Sequence, residues 1–132
     1  MNRETLYQLH VSGNVLCVQL RHIWSKQVVR KVFADVKVAV SGIQHQPWAA
    51  YVDMRDWIMP TMEALEDFQL IYDWCAANNQ THEATVCKFA MQERIVRESS
   101  SYDPEFHFYT QQPEQAEAWL KQQGFDFTLP DF

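Results

Sequence analysis

The residues best placed to do chemistry lie in one short stretch. Asp53-Met54-Arg55-Asp56 puts two carboxylates and a guanidinium within four residues. Such a set can grip a polar group of a partner or ligand, or pair with itself to fix a turn. Trp57, Ile58 and Met59 follow, three large apolar residues in a row. Exposed, they would form a binding patch; folded inward, they would cover the end of a sheet. Partner or ligand binding is therefore expected at Asp53, Arg55, Asp56, Trp57, Ile58 and Met59. Thr61 stands where a helix begins. Helix-start amides and the helix dipole stabilise a phosphate there, so Thr61 is the candidate phosphoacceptor. Capping alone also explains a threonine at that point.

Other chemistries find little support. His10, His22, His45, His82 and His107 show no H-E-x-x-H spacing, and none lies near a Cys-x-x-Cys pair. No metal site is expected. There is no G-x-S-x-G turn to present a serine. Ser99-Ser100-Ser101 reads as the solvated end of a short helix. Cys17, Cys75 and Cys87 sit among apolar residues, and an odd, widely spaced set is not a disulfide framework. Buried in this way, a thiol has a raised pKa and is a poor nucleophile. With 3 glycines, the chain has no phosphate-binding glycine loop, and no cofactor is expected.

The totals narrow the classes further. A chain of 132 residues with 47% hydrophobic content can build one proper core. Residues 1–132 are expected to form one domain, with 125–132 as a C-terminal tail. The net charge of −6 opposes phosphate backbones and anionic membrane surfaces, so no nucleic acid is expected as a partner. No apolar run approaches a membrane span. Met1–Thr5 has no apolar h-region, so no signal peptide is expected. Buried thiols suit a reducing compartment, and a cytoplasmic location is the expectation.

Hydrophobic periodicity supplies the elements that must position these residues. Alternation over 5–11 and β-formers over 14–21, with Ser12-Gly13-Asn14 between, predict a hairpin. Ser25 caps a helix whose stripe is Val28, Val29, Val32, Phe33, Val36 and Val40, and Gly42 stops it. Trp48–Met54 reads as a strand buried on both faces, and Arg55–Thr61 as a loop. A helix over 62–78 is followed by a strand over Glu83–Phe89 and a short helix over Gln92–Ser101. A strand over Phe106–Thr110 precedes a helix that Pro113 opens and Gly124 closes. The order ββαβαβαβα predicts an α/β fold, with a mixed, mostly parallel sheet flanked by helices.

Three stretches carry a resemblance to a known family. Gly13-Asn14-Val15-Leu16-Cys17-Val18, Ala50–Trp57 and Glu114–Leu120 resemble the STAS-like domains of the anti-anti-sigma type. Within these, the chain is most similar to the bacterial SpoIIAA-like or STAS/Sec14-like group, over about residues 10–125. The resemblance implies a mixed sheet flanked by helices. It implies a domain that binds protein partners without catalysis, in some members switched by phosphorylation at the helix following the D-S-S-G-type loop. Asp56–Thr61 corresponds to that loop here, and it holds no serine or glycine; Thr61 alone offers a hydroxyl. The Sec14-like comparison implies a lipid or other apolar ligand.

The leading expectation is thus a non-catalytic regulatory or protein-interaction module. Its partner surface would be the region around Trp57–Thr61. The alternative is a carrier of a small apolar ligand or lipid, in a pocket between helix 62–78 and the sheet. The tail, with Phe125, Phe127 and Phe132, must pack back on the domain or enter a neighbour in a homodimer.

Overall fold

A computed structural model of the chain describes residues 5–58, 61–100 and 104–132. The elements run β1 (Tyr7–Ser12), β2 (Val15–Ile23), α1 (Lys26–Ala39), β3 (Trp48–Ile58) and α2 (Met62–Ala77). They continue with β4 (Gln80–Val86), α3 (Ala90–Ser99), a 3-10 turn (Pro104–Phe106), β5 (His107–Thr110) and α4 (Pro113–Gln122). The five strands form one sheet in the order β1-β2-β3-β4-β5. β1 and β2 are antiparallel, and every later neighbour is parallel. The expected α/β fold class and element order are both present.

Each crossover steps to the next strand in the same direction. A common hand of crossover then puts α1, α2 and α3 on one face. The packing agrees. Leu16, Val18 and Leu20 of β2 share a core with Val29, Val32 and Val36 of α1, Phe68 and Tyr72 of α2, and Ile95 and Val96 of α3. On the other face, Val15, Cys17, Tyr51 and Val86 meet Ala116 and Leu120 of α4 and Phe127 of the tail. The tail therefore packs back on its own chain.

Local chemistry accounts for most boundaries. Ser25 Oγ accepts from the Val28 amide at 3.3 Å and starts α1. Asn79, with φ of 76°, takes the left-handed conformation just past α2. At the end of α4, Gly124 has φ of 98°, and Phe125 N donates back to Leu120 O at 3.1 Å. That bond satisfies an otherwise orphaned helix carbonyl. Gly42 plays no such part: it lacks a positive φ, and α1 ends at Ala39 with Val40 as its cap, whose amide donates to Val36 O.

Three expectations need correction. β3 does not stop at Met54. Arg55–Ile58 continues it, because β2 also runs on and pairs Arg21, His22 and Ile23 with Asp56, Trp57 and Ile58. β4 occupies Gln80–Val86, earlier than the expected Glu83–Phe89, because Cys87–Phe89 turns into α3. α3 accordingly starts at Ala90, two residues ahead of the expected Gln92.

Gly13 shows how the tail and hairpin are locked together. Its φ of 56° suits the first position of a two-residue hairpin turn. The carbonyl of Asp126 occupies the place where a Cβ would stand, and Thr128 N donates to Ser12 Oγ at 2.9 Å. Gly13→Ala must therefore strain the turn and displace the tail. The expected loss is about 1–3 kcal/mol of stability, read as a lower urea midpoint with unchanged slope.

Candidate functional site

β3 continues as a strand but carries a bulge after Asp53, where Met54 and Arg55 stand opposite Leu20 alone, so the alternation of side chains shifts by one there and Trp57 joins the face of Val52 and Met54. Asp53 and Arg55 pair with each other. Arg55 Nε donates to Asp53 Oδ1 at 3.0 Å and Nη2 to Oδ2 at 2.8 Å, while the Arg55 amide adds a bond of 3.2 Å to Oδ1. The carboxylate beside it holds the guanidinium pKa above its usual value. This set is a self-contained two-pronged ion pair at the carboxyl end of the sheet. Asp56 is exposed, and Met59 lies outside the described residues.

Trp57 and Ile58 part company. Trp57 is 2% exposed. It stacks on Phe68 at 5.4 Å between ring centroids and meets Trp24 edge-on at 5.8 Å. Its Nε1 has no hydrogen-bond partner among the described residues. Trp57 is thus a core residue and does not belong to a surface patch. Ile58 turns the other way and is 55% exposed, beside its β2 neighbour Ile23 at 58%. Thr61 caps α2: its hydroxyl accepts from the Ala64 amide at 3.3 Å. Met62, the first residue of that helix, is 78% exposed.

One residue that periodicity alone treats as helix surface holds this end together. β4 stops at Val86, opposite Asp53, so the last residues of β3 have no parallel neighbour on that side. Gln92 of α3 fills the gap. Its Nε2 donates to the carbonyls of Met54 (2.7 Å), Arg55 (3.2 Å) and Trp57 (2.8 Å). Its Oε1 accepts from the amides of Lys88 (2.7 Å) and Phe89 (3.0 Å). The side chain is buried, as such a set of bonds requires.

A second group that the sequence does not announce lies below α2. Glu83 and Thr85 of β4 share a face with His107 and Tyr109 of β5, because the parallel register sets Glu83 against His107. Glu83 Oε2 accepts from Tyr72 Oη at 2.9 Å and Thr85 Oγ1 at 2.8 Å, and lies 3.2 Å from His107 Nε2. His107 Nε2 is also 2.8 Å from Thr85 Oγ1. Burial pushes the Glu83 pKa up. The charge and hydrogen bond of His107, with the bonds from Thr85 and Tyr72, outweigh it and hold the carboxyl below its usual value. All three of Glu83, Thr85 and His107 are buried, so this is an internal ion pair without access for a substrate.

Beside that pair, apolar side chains enclose a cavity of about 60 Å³ between α2, α1 and the sheet. Ala50, Val52, Phe68, Ile71 and Cys75 line it, and Glu83 reaches one end. Elsewhere, burial pushes the thiols of Cys17 and Cys87 up to about 12, so neither is a nucleophile at neutral pH. His82 packs among the rings of Phe106, Trp119 and Phe125, and burial lowers its pKa. No group of three or more metal-ligating side chains occurs among the described residues, and no helix is long and apolar enough to cross a membrane.

Two substitutions test this anatomy. Gln92→Met keeps the side-chain length and removes both ends of the amide. It should cost about 2–4 kcal/mol in chemical denaturation, since several buried backbone groups lose their partner. Faster amide exchange should follow along Arg55–Ile58. Glu83 has a lower pKa folded than unfolded, so it adds stability above the ordinary carboxylate range and loses it as pH falls through the folded value. Glu83→Gln should cost about 2 kcal/mol or more at pH 7 and flatten the acid limb of the stability profile.

Comparison with known proteins places the fold. No protein-family model matches the chain, and no curated protein matches it. Solved structures do. One is an uncharacterised protein of the DUF3478 family with a SpoIIAA-like fold, from Shewanella loihica PV-4. It matches with a TM-score of 0.65 and 14% identity, over 91% of this chain and 98% of that one. Another is the anti-sigma factor antagonist SpoIIAA in its unphosphorylated form. It matches with a TM-score of 0.60 and 11% identity, over 90% of this chain and 99% of that one. The likeness at these identities is one of architecture, and on it the chain has a SpoIIAA-like fold.

Proposed function

We propose that this chain is a non-catalytic regulatory module that acts by binding a protein partner at the carboxyl end of β2 and β3 and the start of α2. The observation that carries the reading is the exposure of Ile23, Ile58 and Met62 at that one end of the fold. Large apolar side chains left in water at one place are the usual mark of an interaction site. Asp56 and the outer part of Arg55 supply a polar rim beside them. The likeness to an anti-sigma factor antagonist, a protein whose work is to oppose another protein, supports the same reading by analogy of fold. The surface differs in its members from the one expected on the sequence: Asp53 and Trp57 are buried beneath it, Met59 lies outside the described residues, and Ile23 and Met62 join Ile58.

A carrier of a small apolar ligand or lipid is the second reading. The cavity in the expected place, between α2 and the sheet, favours it. At about 60 Å³ that cavity is far below the roughly 300 Å³ at which ordinary ligand pockets begin. A lipid therefore requires α2 to move away from the sheet.

Native mass spectrometry of the protein isolated gently from its own host separates the two. The expected result is a complex with a second protein species. Ile58→Lys and Met62→Lys, both surface changes that leave thermal unfolding intact, should each cut its recovery about tenfold. A chain carrying an apolar small-molecule mass would overturn the module in favour of the carrier. Recovery undiminished in both variants would overturn the proposed surface.

A further inference from the structure

We propose that β1 is a self-association edge, through which two copies of this chain join their sheets in antiparallel register centred on Leu9. The backbone parity of β1 decides which groups are free. Arg21 N donates to Leu6 O at 2.9 Å, and Tyr7 pairs with Leu20, so the even-numbered residues of β1 turn their amides and carbonyls toward β2. Tyr7, Leu9 and Val11 therefore turn theirs outward, where the sheet ends. Among the described residues no backbone bond reaches that outer edge.

The edge lacks the usual protections. Tyr7–Ser12 contains no Asp, Glu, Lys or Arg and no proline, and its register with β2 is regular through all six pairs. Natural edge strands are normally blunted by lysine, proline, bulges or shortness. The remaining open runs of this sheet are guarded: β5 has only 4 residues, and Gln92 caps the overrun of β3.

The strand is also complementary to itself. A two-fold axis through Leu9 sets Leu9 against Leu9 and Tyr7 against Val11. These are the residues with free backbone groups, so each pair exchanges its two hydrogen bonds. Their side chains already pack on the α1 side of the sheet, and pairing would continue that apolar row into the second copy. On the opposite face Gln8 meets His10, so no Asp, Glu, Lys or Arg side chain faces another across the axis. In a chain of net charge −6, this edge brings two copies together with the least repulsion. The occupant is thus a second copy of this chain, in a contact independent of the partner surface at Ile23, Ile58 and Met62.

Sedimentation equilibrium of the full chain should show a concentration-dependent species of twice 15.6 kDa, at loadings up to about 300 µM. The double substitution Gln8→Lys with His10→Lys sets like charges directly opposite each other and should weaken dimerisation at least about tenfold. Gln8→Cys combined with His10→Cys should give, on mild oxidation, a covalent dimer bridged between position 8 of one copy and position 10 of the other. A chain that stays monomeric over the whole range overturns the proposal. So does a dimer that the lysine pair leaves unchanged, or one in which the cysteine pair forms no intermolecular bridge.

Discussion

One carboxamide decides how the carboxyl end of this sheet is built. β3 outruns β4, and a strand without a neighbour exposes carbonyls that must find donors. Gln92 supplies the donors from α3 while its oxygen collects two amides of the turn that leads into the helix. The same side chain therefore ends β4, starts α3 and holds the last residues of β3 in extended form. The bulge at Met54–Arg55, whose carbonyls Gln92 takes up, shifts the alternation so that Trp57 turns inward beside Met54 and Ile58 outward. Everything proposed for the partner surface rests on that alternation.

Below this end, the interior divides by polarity. Trp24, Trp57, Phe68 and Tyr72 form a chain of ring contacts that carries the apolar core from the turn between β2 and α1, across β3, to α2. Tyr72 then turns its hydroxyl to Glu83 and marks the boundary with the buried ion pair. A buried carboxylate and imidazole are costly to desolvate, and removing either partner is costlier still. Their contribution is to fix the lateral match of β4 to β5, where only 4 residue pairs hold the edge strand. The cavity lies where these two regimes meet, with Ala50 too small to fill the space beneath α2.

The outer surface follows from topology. A sheet wound in one direction has no point where successive crossovers diverge, so it lacks the crevice that doubly wound sheets use for ligands. The places such a sheet leaves for the proposed contacts are an edge and an exposed apolar end. This fold offers both, with Ile23, Ile58 and Met62 at one and the unguarded β1 at the other.

The sequence by itself determined the α/β class, the order of elements and the local devices that bound them. Ser25 and Thr61 as caps, Gly13 as a hairpin residue and Gly124 as a helix stop are short-range effects, legible from the residue and its neighbours. The Asp53–Arg55 pair is legible for the same reason, since opposite charges two residues apart lie within reach of each other in a strand or a turn. What depended on distant chain could not be read this way. Arg55–Ile58 looks like a loop until β2 is seen to extend beside it. Gln92 looks like a polar helix residue until β3 presents carbonyls to it. Glu83 and His107 become an ion pair only through the register of two parallel strands separated by a helix. Periodicity reports which face of an element is apolar. Only the tertiary structure decides which groups of another element that face will meet, because register and crossover direction are set by the packing of the whole sheet.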